Sequence, residues 1–331
     1  MRRKLKMVDI FDTLKAKISG NNLRIVFPEG LDERVLTAAA RLAEEKLLTP
    51  VLIGNIEQIQ DKAKHLGVSL EAAEIYDPQH YILMDELAAS FVEARRGKAS
   101  DAEARNILLD ENYFGTMLVH TNKADGLVSG AAHSTSDTVR PALQIIRTKE
   151  GVAKTSGAFI MVRGEEKYVF GDCAINIAPD NKDLAEIAVE SAKTARMFDI
   201  EPKVAMLSFS TKGSAHSPET ERVSEAVQLA QELDPTLIVD GEFQFDAAFI
   251  PSVAAKKAPG SLIAGDANVF VFPSLESGNI GYKIAQRLGN FEAVGPILQG
   301  LNRPVNDLSR GCNEEDVYKL AIITAAQALR S

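Results

Sequence analysis

Residues 126–143 have the sequence GLVSGAAHSTSDTVRPAL, and this stretch is the clearest indication of the fold of the chain. It begins with a short apolar run, continues through small polar residues and ends in a longer amphipathic stretch. The pattern predicts a strand over 126–129, a short loop, and a helix over 135–146. Strand, loop and helix in this order form the repeating unit of parallel α/β sheets, so an α/β fold is expected.

The same alternation continues along the chain and predicts a largely parallel α/β protein. One pair of strands departs from it, because 158–162 and 167–170 are joined only by the segment RGEE and therefore predict a β-hairpin. The predicted strands are 24–27, 49–53, 126–129, 158–162, 167–170, 204–208, 236–240 and 268–272. The predicted helices are 33–45, 85–96, 101–109, 135–146, 182–198, 218–232, 276–288 and 314–329.

At 331 residues the chain exceeds the size at which one core usually keeps growing, so two α/β domains are expected. The boundary is predicted near Gly151. Residues 1–150 and 301–331 would form the first domain, and residues 151–300 the second.

The last predicted helix has one apolar face, which must be buried against the rest of the protein. If the helix packs on the first domain, the loop before it lies at a cleft between the domains, where α/β proteins usually bind ligands. The apolar positions of this face are Val317, Leu320, Ala321, Thr324 and Ala325.

The net charge of -9 and the pI of about 5.2 argue against binding to nucleic acid or to a membrane surface. The only basic run is the short Arg2-Arg3-Lys4 tail. No apolar run reaches the roughly 20 residues that span a bilayer, and the start of the chain lacks the apolar core of a signal peptide. A cytoplasmic location is therefore expected.

The two cysteines, Cys173 and Cys312, have no paired spacing and are expected to be free thiols. The five histidines show no HxxxH or HxH grouping, so the sequence predicts no metal centre.

The segment VNDLSRGCNEED at 305–316 places a hydroxyl, a guanidinium, a thiol and a carboxylate just before the last helix. Arg310 can bind two oxygens of a phosphate, and the helix N-terminus adds N–H donors to an anion site. Asp316 is near enough in sequence to take a proton there, which favours transfer chemistry. The alternative is structural: Asn313 caps the helix, and the acidic residues after it complement the helix dipole.

The loop after residues 126–129 also resembles a phosphate site, because a glycine lets backbone amides approach an anion and hydroxyls can donate to it. Simple capping of the next helix explains the same hydroxyls. His133 is a candidate acid or base, or else a hydrogen-bonded structural histidine. The loop residues predicted to bind a ligand are Ser129, Gly130, His133, Ser134 and Thr135.

Two further regions carry ligand candidates. Arg140 either binds a ligand or forms a structural ion pair. Arg95 and Arg96 either bind a ligand or interact with the dipole at the C-terminus of a helix. The loop PSLESGNIGYK at 273–283 allows close approach of a ligand, or is a plain turn with a helix cap. Its predicted ligand-binding residues are Asn279, Gly281, Tyr282 and Lys283.

Four long motifs, in this order, resemble the phosphate acetyltransferases, also called phosphotransacetylases: SGAAHSTSDTVRPALQIIR, FGDCAINIAPD, FPSLESGNIGYKIAQRL and PVNDLSRGCNEED. The segment FPEGLDERVLTAA near the start extends the resemblance to essentially the whole chain. The length is similar to that of the short form of the family, which is expected to lack an N-terminal regulatory extension.

The resemblance implies reversible acetyl transfer between acetyl-CoA plus phosphate and acetyl phosphate plus CoA. It also implies two three-layer α/β domains with a cleft between them, similar to isocitrate and isopropylmalate dehydrogenases, and a homodimer. Ser309 and Arg310 would be active-site residues, and Asp316 the base. Arg140 matches a cleft arginine firmly, whereas the match of Arg95, rather than Arg96, to the other is looser.

The implied mechanism is direct attack in a ternary complex, with CoA as a substrate and no tightly bound cofactor. A rival mechanism passes through an acetyl group on Cys312, because a thiol near Arg310 and a helix N-terminus is expected to ionise easily. Two alternative functions remain. One is phosphate butyryl transfer, and the other is non-catalytic sensing of CoA or acetyl phosphate.

Overall fold

A computed structural model describes residues 10–330, which divide into two compact units. The first unit contains the described residues up to Lys149 and from Leu301 onward, and the second is Glu150–Gly300. The basic tail Arg2-Arg3-Lys4 lies outside the described residues.

The secondary structure follows the predicted alternation of strands and helices. In chain order the elements are α1 Ile10–Ile18, β1 Arg24–Phe27, α2 Glu33–Glu44, β2 Thr49–Ile53, α3 Ile56–Leu66, β3 Glu74–Tyr76, a 3-10 turn Pro78–His80, α4 Met84–Ala94, α5 Asp101–Ile107, α6 Glu111–His120, β4 Gly126–Ser129, α7 Thr135–Pro141, a π-helical turn Ala142–Ile146, β5 Ser156–Arg163, β6 Glu166–Gly171, α8 Asn181–Met197, β7 Lys203–Leu207, α9 Pro218–Leu233, β8 Ile238–Phe243, α10 Phe245–Phe249, α11 Pro251–Lys257, β9 Val269–Val271, α12 Leu275–Arg287, β10 Glu292–Gln299, β11 Val305–Asp307 and α13 Glu314–Ala328.

The sheet of the first unit is parallel, with strand order β11-β4-β1-β2-β3. Its central strands are almost entirely buried, as expected when helices cover both faces of a parallel sheet. Asp307 at the end of β11 pairs with Ser129 at the end of β4. The loops that follow β1, β4 and β11 therefore leave the same edge of the sheet, the edge at which open α/β sheets bind ligands.

Helix α13 packs against α1, α2 and β4 of the first unit. The Arg41 guanidinium lies 2.7 Å from Glu315 and 3.7 Å from the centre of the Tyr318 ring. The Tyr318 hydroxyl donates to Glu45 at 2.5 Å. These contacts hold the first turns of α13, and hence the loop before it, against α2.

The second unit has a mixed sheet with strand order β10-β5-β6-β9-β7-β8. Strands β6, β9, β7 and β8 are parallel neighbours, whereas β5 is antiparallel to both β10 and β6. Arg163 pairs with Glu166 across the turn, so the predicted β-hairpin is confirmed. Aromatic rings from β5, β6 and β9 form much of the core, including Phe159, Phe170 and Phe270.

The sequence analysis did not predict three of the strands, which are β3, β10 and β11. Strand β10 contains Gly295-Pro296, and its pairing with β5 shifts register between Val294 and Ile297, so no regular alternation marks it. Strand β11 is short and carries Asn306 and Asp307, both buried, where the sequence suggested only a loop. The helix predicted over 135–146 changes to a π-helical turn after Pro141. The other elements missed were α1, α3, α6, α10 and α11.

Candidate active site

The segment from β11 to α13 forms a tight turn that presents two side chains to solvent. Ser309 and Arg310 are both exposed. The Ser309 hydroxyl accepts a hydrogen bond from the Gly311 N–H at 3.3 Å, and the Ser309 carbonyl accepts from the Cys312 N–H at 2.8 Å. These bonds fix the backbone of the turn, while the Arg310 guanidinium faces water.

The N-terminus of α13 is closed by a reciprocal capping box. The Asn313 side chain accepts from the Asp316 N–H at 3.0 Å, and Asp316 Oδ2 accepts from the Asn313 N–H at 2.9 Å. The predicted Asn313 cap is thus confirmed. Asp316 is exposed, and its Oδ1 takes no part in the capping box, so this oxygen is the one available to a substrate.

Cys312 is 8% exposed and lies inside the turn. Burial is the main cause that raises the pKa of its thiol to about 11, against an opposing effect of Arg34. The expectation that this thiol ionises easily was therefore wrong. The helix N-terminus and Arg34 do not compensate for the loss of water around the sulfur.

Arg34, which the sequence did not single out, connects two loops of the site. Its guanidinium donates to Asp32, with an Nη2–Oδ2 distance of 2.7 Å. It also donates to the carbonyls of Arg310 at 3.0 Å and Cys312 at 2.9 Å, and to that of Ala131 at 2.7 Å. The bond to Asp32 is the main cause that raises the Arg34 pKa, so the bridge stays charged.

The buried carboxylate of Glu29 fills the backbone loop after β4. It accepts hydrogen bonds from the N–H groups of Ala131 at 2.8 Å, Ala132 at 2.7 Å and His133 at 2.8 Å. His133 Nδ1 lies 2.9 Å from the same carboxylate. An internal anion therefore occupies the amides that were predicted to face a phosphate, and ligand binding by the loop stays a prediction.

The hydroxyls of this loop are also engaged within the protein. Ser134 donates to Asp137 at 2.7 Å in a capping box, which confirms the simpler alternative of helix capping. Thr135 donates to Asp307 at 2.6 Å. Ser129 is fully buried, and the ligand contact predicted for its hydroxyl stays a prediction. Gly130 is buried with φ +108°, and a Cβ there would lie 2.5 Å from Asp307 Oδ1.

Asp307 is a buried carboxyl, 3% exposed, at the end of β11. Its Oδ2 accepts from Thr135, whereas Oδ1 is buried and has no hydrogen-bond partner among the described residues. Burial raises the pKa of Asp307 to about 6, although hydrogen bonding to Thr135 opposes the rise.

The two predicted arginines lie near one tyrosine of the first unit. Arg95 follows the last residue of α4, and Arg140 is exposed on α7 and donates to Ser136 at 3.0 Å. Both charges lower the pKa of Tyr113, which burial raises overall. Arg95 also lines a basic pocket of about 350 Å³ with Arg96, Lys98, Leu143, Gln144 and Arg147.

The predicted ligand loop of the second unit is a helix. Ser274 caps α12, so the alternative of a plain turn with a helix cap is confirmed, and Asn279, Gly281, Tyr282 and Lys283 lie within α12. The Tyr282 ring stacks on Phe159 with a centroid distance of 4.1 Å, and Asn279 donates to the Cys173 carbonyl at 3.4 Å. Tyr282 and Asn279 thus contribute packing and a hydrogen bond within the second unit, and the ligand role of this segment stays a prediction.

The residues missed by sequence reasoning share one signal. Glu29, Asp32 and Arg34 lie in the segment after β1, and Asp307 ends β11, so all lie near the carboxyl ends of buried strands. Charged residues at this edge are the ones that reach a ligand site in α/β sheets. Within residues 10–330 no three His, Cys, Asp or Glu side chains group as metal ligands, and no helix has the length and apolarity to cross a membrane.

Comparison with known proteins agrees with the sequence resemblance. A family model described as phosphate acetyl/butaryl transferase matches residues 9–325. A phosphate acetyltransferase from Bacillus subtilis (strain 168) is 72% identical over 323 residues, covering 98% of this chain and 100% of that protein. A solved phosphotransacetylase from Staphylococcus aureus has a TM-score of 0.94 and 61% identity, covering 97% of this chain and 99% of its own.

A more distant structure bears on the fold alone. A Salmonella typhimurium protein assigned as a 4-hydroxythreonine-4-phosphate dehydrogenase has a TM-score of 0.53 at 13% identity, covering 92% of this chain and 99% of its own. The expected α/β fold with dehydrogenase-like architecture is confirmed.

Proposed function

Because the chain belongs to the phosphate acetyl/butaryl transferase family, we propose that Ser309, Arg310 and Asp316 carry out the family's reaction. The enzyme is an acyltransferase that moves an acetyl group reversibly between coenzyme A and phosphate. Coenzyme A is a substrate in this reaction. The roles of Ser309, Arg310 and Asp316 in it are what we propose.

The observation that carries the proposal is the turn before α13. Ser309 and Arg310 are exposed at the carboxyl edge of the parallel sheet, beside a helix N-terminus. The backbone of the turn is held from behind by Arg34, through the carbonyls of Arg310 and Cys312. A fixed backbone with exposed donors is the arrangement that stabilises developing negative charge without reorganisation.

In the thioester-forming direction the CoA sulfur attacks the carbonyl carbon of acetyl phosphate. Arg310 binds the phosphoryl oxygens in a planar fork, and Ser309 donates to the oxyanion that forms on the carbonyl. Asp316 Oδ1 takes the thiol proton. Holding both substrates together can supply up to about 7 to 11 kcal/mol of the barrier reduction.

We propose direct transfer rather than an acetyl-cysteine intermediate. The Cys312 thiol is buried, and burial raises its pKa to about 11, so little thiolate exists near neutral pH. Ping-pong kinetics, or acetate label trapped on Cys312, would contradict direct transfer.

The first experiment measures thioester absorbance after the protein is mixed with CoA and either acetyl phosphate or butyryl phosphate. We expect faster reaction with acetyl phosphate. Faster reaction with butyryl phosphate would move the enzyme to the butyryl branch of the family. CoA binding without any thioester product would instead support a sensor.

The roles of the site residues are tested with Asp316→Asn. We expect kcat to fall by about 10² to 10⁴, with a much smaller change in CoA affinity, because a proton acceptor is lost. Glu219→Gln is the matched control, since Glu219 is also an exposed acid in the first turn of a helix. Equal losses in kcat/KM and in CoA binding for Asp316→Asn would make Asp316 a binding residue.

We further propose a homodimer that uses helix α12. Ile280, Ile284 and Leu288, spaced four residues apart on one face, are 58%, 53% and 80% exposed. An exposed apolar stripe of this kind indicates a protein partner, and a second copy of the chain is the partner we propose. Light scattering should show a dimer for the wild type and a monomer for Ile284→Asp. Ile82→Asp, at an isolated position that is 92% exposed, should leave the mass unchanged.

We also propose that CoA dissociates after each turnover rather than remaining bound, and that the enzyme works in the cytoplasm. Cys173 and Cys312 are both buried free thiols, as is usual for proteins of a reducing compartment. Mass spectrometry of purified protein should find no retained CoA, and cell fractionation tests the location.

A further inference from the structure

His133 and Glu29 form a buried carboxylate–imidazole pair in the first unit. The two Glu29 oxygens accept hydrogen bonds from the amides of Ala131, Ala132 and His133. Glu29 Oε1 also lies 2.9 Å from His133 Nδ1. Because both oxygens act as acceptors, the hydrogen of this last contact belongs to Nδ1.

This tautomer leaves Nε2 of His133 as the ring atom that can gain or lose a proton. A carboxylate that orients an imidazole through Nδ1 is the arrangement that serves proton transfer in hydrolase triads. The His133 side chain is 32% exposed, whereas Glu29 behind it is buried. The ring is therefore anchored at one nitrogen and accessible from solvent.

The pair belongs to the same site as Arg310. The guanidinium of Arg34 donates to the carbonyls of both Ala131 and Arg310. His133 follows Ala131 by two residues, a separation that spans at most about 7 Å of chain. The loop that carries His133 therefore lies beside the turn that carries Arg310.

We propose that His133 is a catalytic acid and base that exchanges a proton with the phosphoryl group, and that Glu29 is its positioning residue. The inference rests on the proposed roles of Arg310 and Asp316. When the thioester forms, protonated His133 donates from Nε2 to the leaving phosphate oxygen. In the reverse direction neutral His133 removes the proton from the attacking phosphate.

The step balances in atoms and charge. The thiol proton goes to Asp316, the sulfur–carbon bond forms, and the carbon–oxygen bond to phosphate breaks. The electron pair of the broken bond stays on the phosphate oxygen, which takes the proton of His133. Exchange with water then deprotonates Asp316 and reprotonates His133, so that the net result is transfer of one proton from CoA to phosphate.

Proton exchange with phosphate suits an imidazole better than a carboxylate. Imidazole is the side chain that exchanges protons near neutral pH, where inorganic phosphate also gains and loses a proton. Proton transfer is most efficient between groups of similar pKa. Asp316 and His133 thereby divide the two proton transfers, one at sulfur and one at oxygen.

The charged groups that face His133 are carboxylates on three elements. They are Glu29 after β1, Glu111 at the start of α6, and Asp137 in α7. Each of these carboxylates contributes to the electrostatic potential at the His133 imidazole. The pH dependence of every variant must therefore be compared with that of the wild type.

The first test needs no variant. Single-turnover rates of the wild type are measured against pH in both directions. The rate of acetyl phosphate formation should fall at low pH, where His133 is protonated. The rate of thioester formation should fall at high pH, where His133 is neutral. These two falls in rate are the acidic and alkaline limbs of the pH–rate profiles. If either limb is absent, the inference is wrong.

The second test is His133→Gln, with His65→Gln as the control because His65 is an exposed histidine on α3. We expect the single-turnover rate of His133→Gln to fall by about 100-fold, with little change in the KM for CoA, and both pH limbs to disappear. Added imidazole should restore part of the rate of His133→Ala, which a structural role would not allow. Glu29→Gln should lower the rate less than His133→Gln and keep the pH dependence, because the imidazole remains but is no longer oriented by a carboxylate.

The outcomes separate this inference from the proposed function. If His133→Gln keeps a rate within about threefold of the wild type and keeps both limbs, the proton comes from elsewhere and the inference is wrong, while acetyl transfer stands. If the wild type makes no thioester from acetyl phosphate, the proposed function itself fails.

Discussion

Asp307→Asn is expected to stabilise the first unit at neutral and alkaline pH. Asp307 is 3% exposed, its Oδ1 is buried with no hydrogen-bond partner in the described part of the chain, and burial raises its pKa to about 6. Above pH 6 the folded protein therefore holds a poorly solvated charge. Asparagine has nearly the same shape, and its carbonyl oxygen can still accept the hydrogen bond from Thr135.

The size of the effect follows from the pKa shift of Asp307. A rise from 3.8 to about 6 corresponds to about 3 kcal/mol, because each pKa unit is worth about 1.36 kcal/mol. A folded state with the raised pKa binds the proton more tightly than the unfolded state. The stabilisation is thus complete below pH 3.8, is lost as the pH rises from 3.8 to about 6, and stays absent above that range.

The assay is urea unfolding at pH 4 and pH 8, followed by hydrogen exchange of amides in β4 and β11 so that the first unit is observed alone. The stability of Asp307→Asn relative to the wild type should increase by about 2.4 kcal/mol from pH 4 to pH 8, because the unfolded carboxyl is already partly ionised at pH 4. Glu29→Gln is the control, because Glu29 is a buried carboxylate of the same unit that accepts several hydrogen bonds, so its loss should only lower the stability. A pH-independent difference for Asp307→Asn would refute the reasoning.

Two further predictions concern the turn before α13. Arg34→Lys should lower kcat by about 100-fold, because one ammonium cannot bind the carbonyls of Ala131, Arg310 and Cys312 in the planar geometry of a guanidinium. Steady-state kinetics would check this, and an unchanged kcat would show that the bridge does not position the turn. Cys312→Ser should keep most of the activity, since the raised thiol pKa makes Cys312 a poor nucleophile. Initial rates would check it, and a loss of about 100-fold or more would favour the acetyl-cysteine route.

The sequence predicted features that depend on neighbours along the chain. The Asn313 cap and the serine caps of α7 and α12 were within reach, because a cap involves residues only three positions apart. The strands β1, β2 and β4 were predicted to the residue, since short runs of branched apolar side chains mark buried parallel strands.

The buried contacts of the site could not be predicted from the sequence, because they join segments that are distant along the chain. Arg34 and Cys312 are 278 positions apart, and Glu29 and Ala132 are 103 apart. These pairs meet only because β1, β4 and β11 are neighbours in the sheet. No local pattern specifies that order, so the carboxylate that fills the loop after β4 could not be distinguished from a bound phosphate.

The glycine-rich start of α12 shows how packing can resemble ligand binding in a sequence. Gly278 lies so close to the backbone that a Cβ would be 2.4 Å from the Asp172 carbonyl oxygen. The small residue is needed for contact between α12 and the loop after β6, not for contact with a substrate. Composition alone cannot separate these two reasons for a glycine.

Each unit contains one loop whose amides are filled by its own buried carboxylate. Glu29 occupies the amides of 131–133, and Asp172 accepts from the amides of 174–176. Such loops otherwise bind external anions. Because these amides are satisfied internally, we propose that side chains recognise a substrate phosphate in the first unit, above all the exposed guanidinium of Arg310. The internal carboxylate also contacts the ring of His133, which in our proposal exchanges a proton with that phosphate.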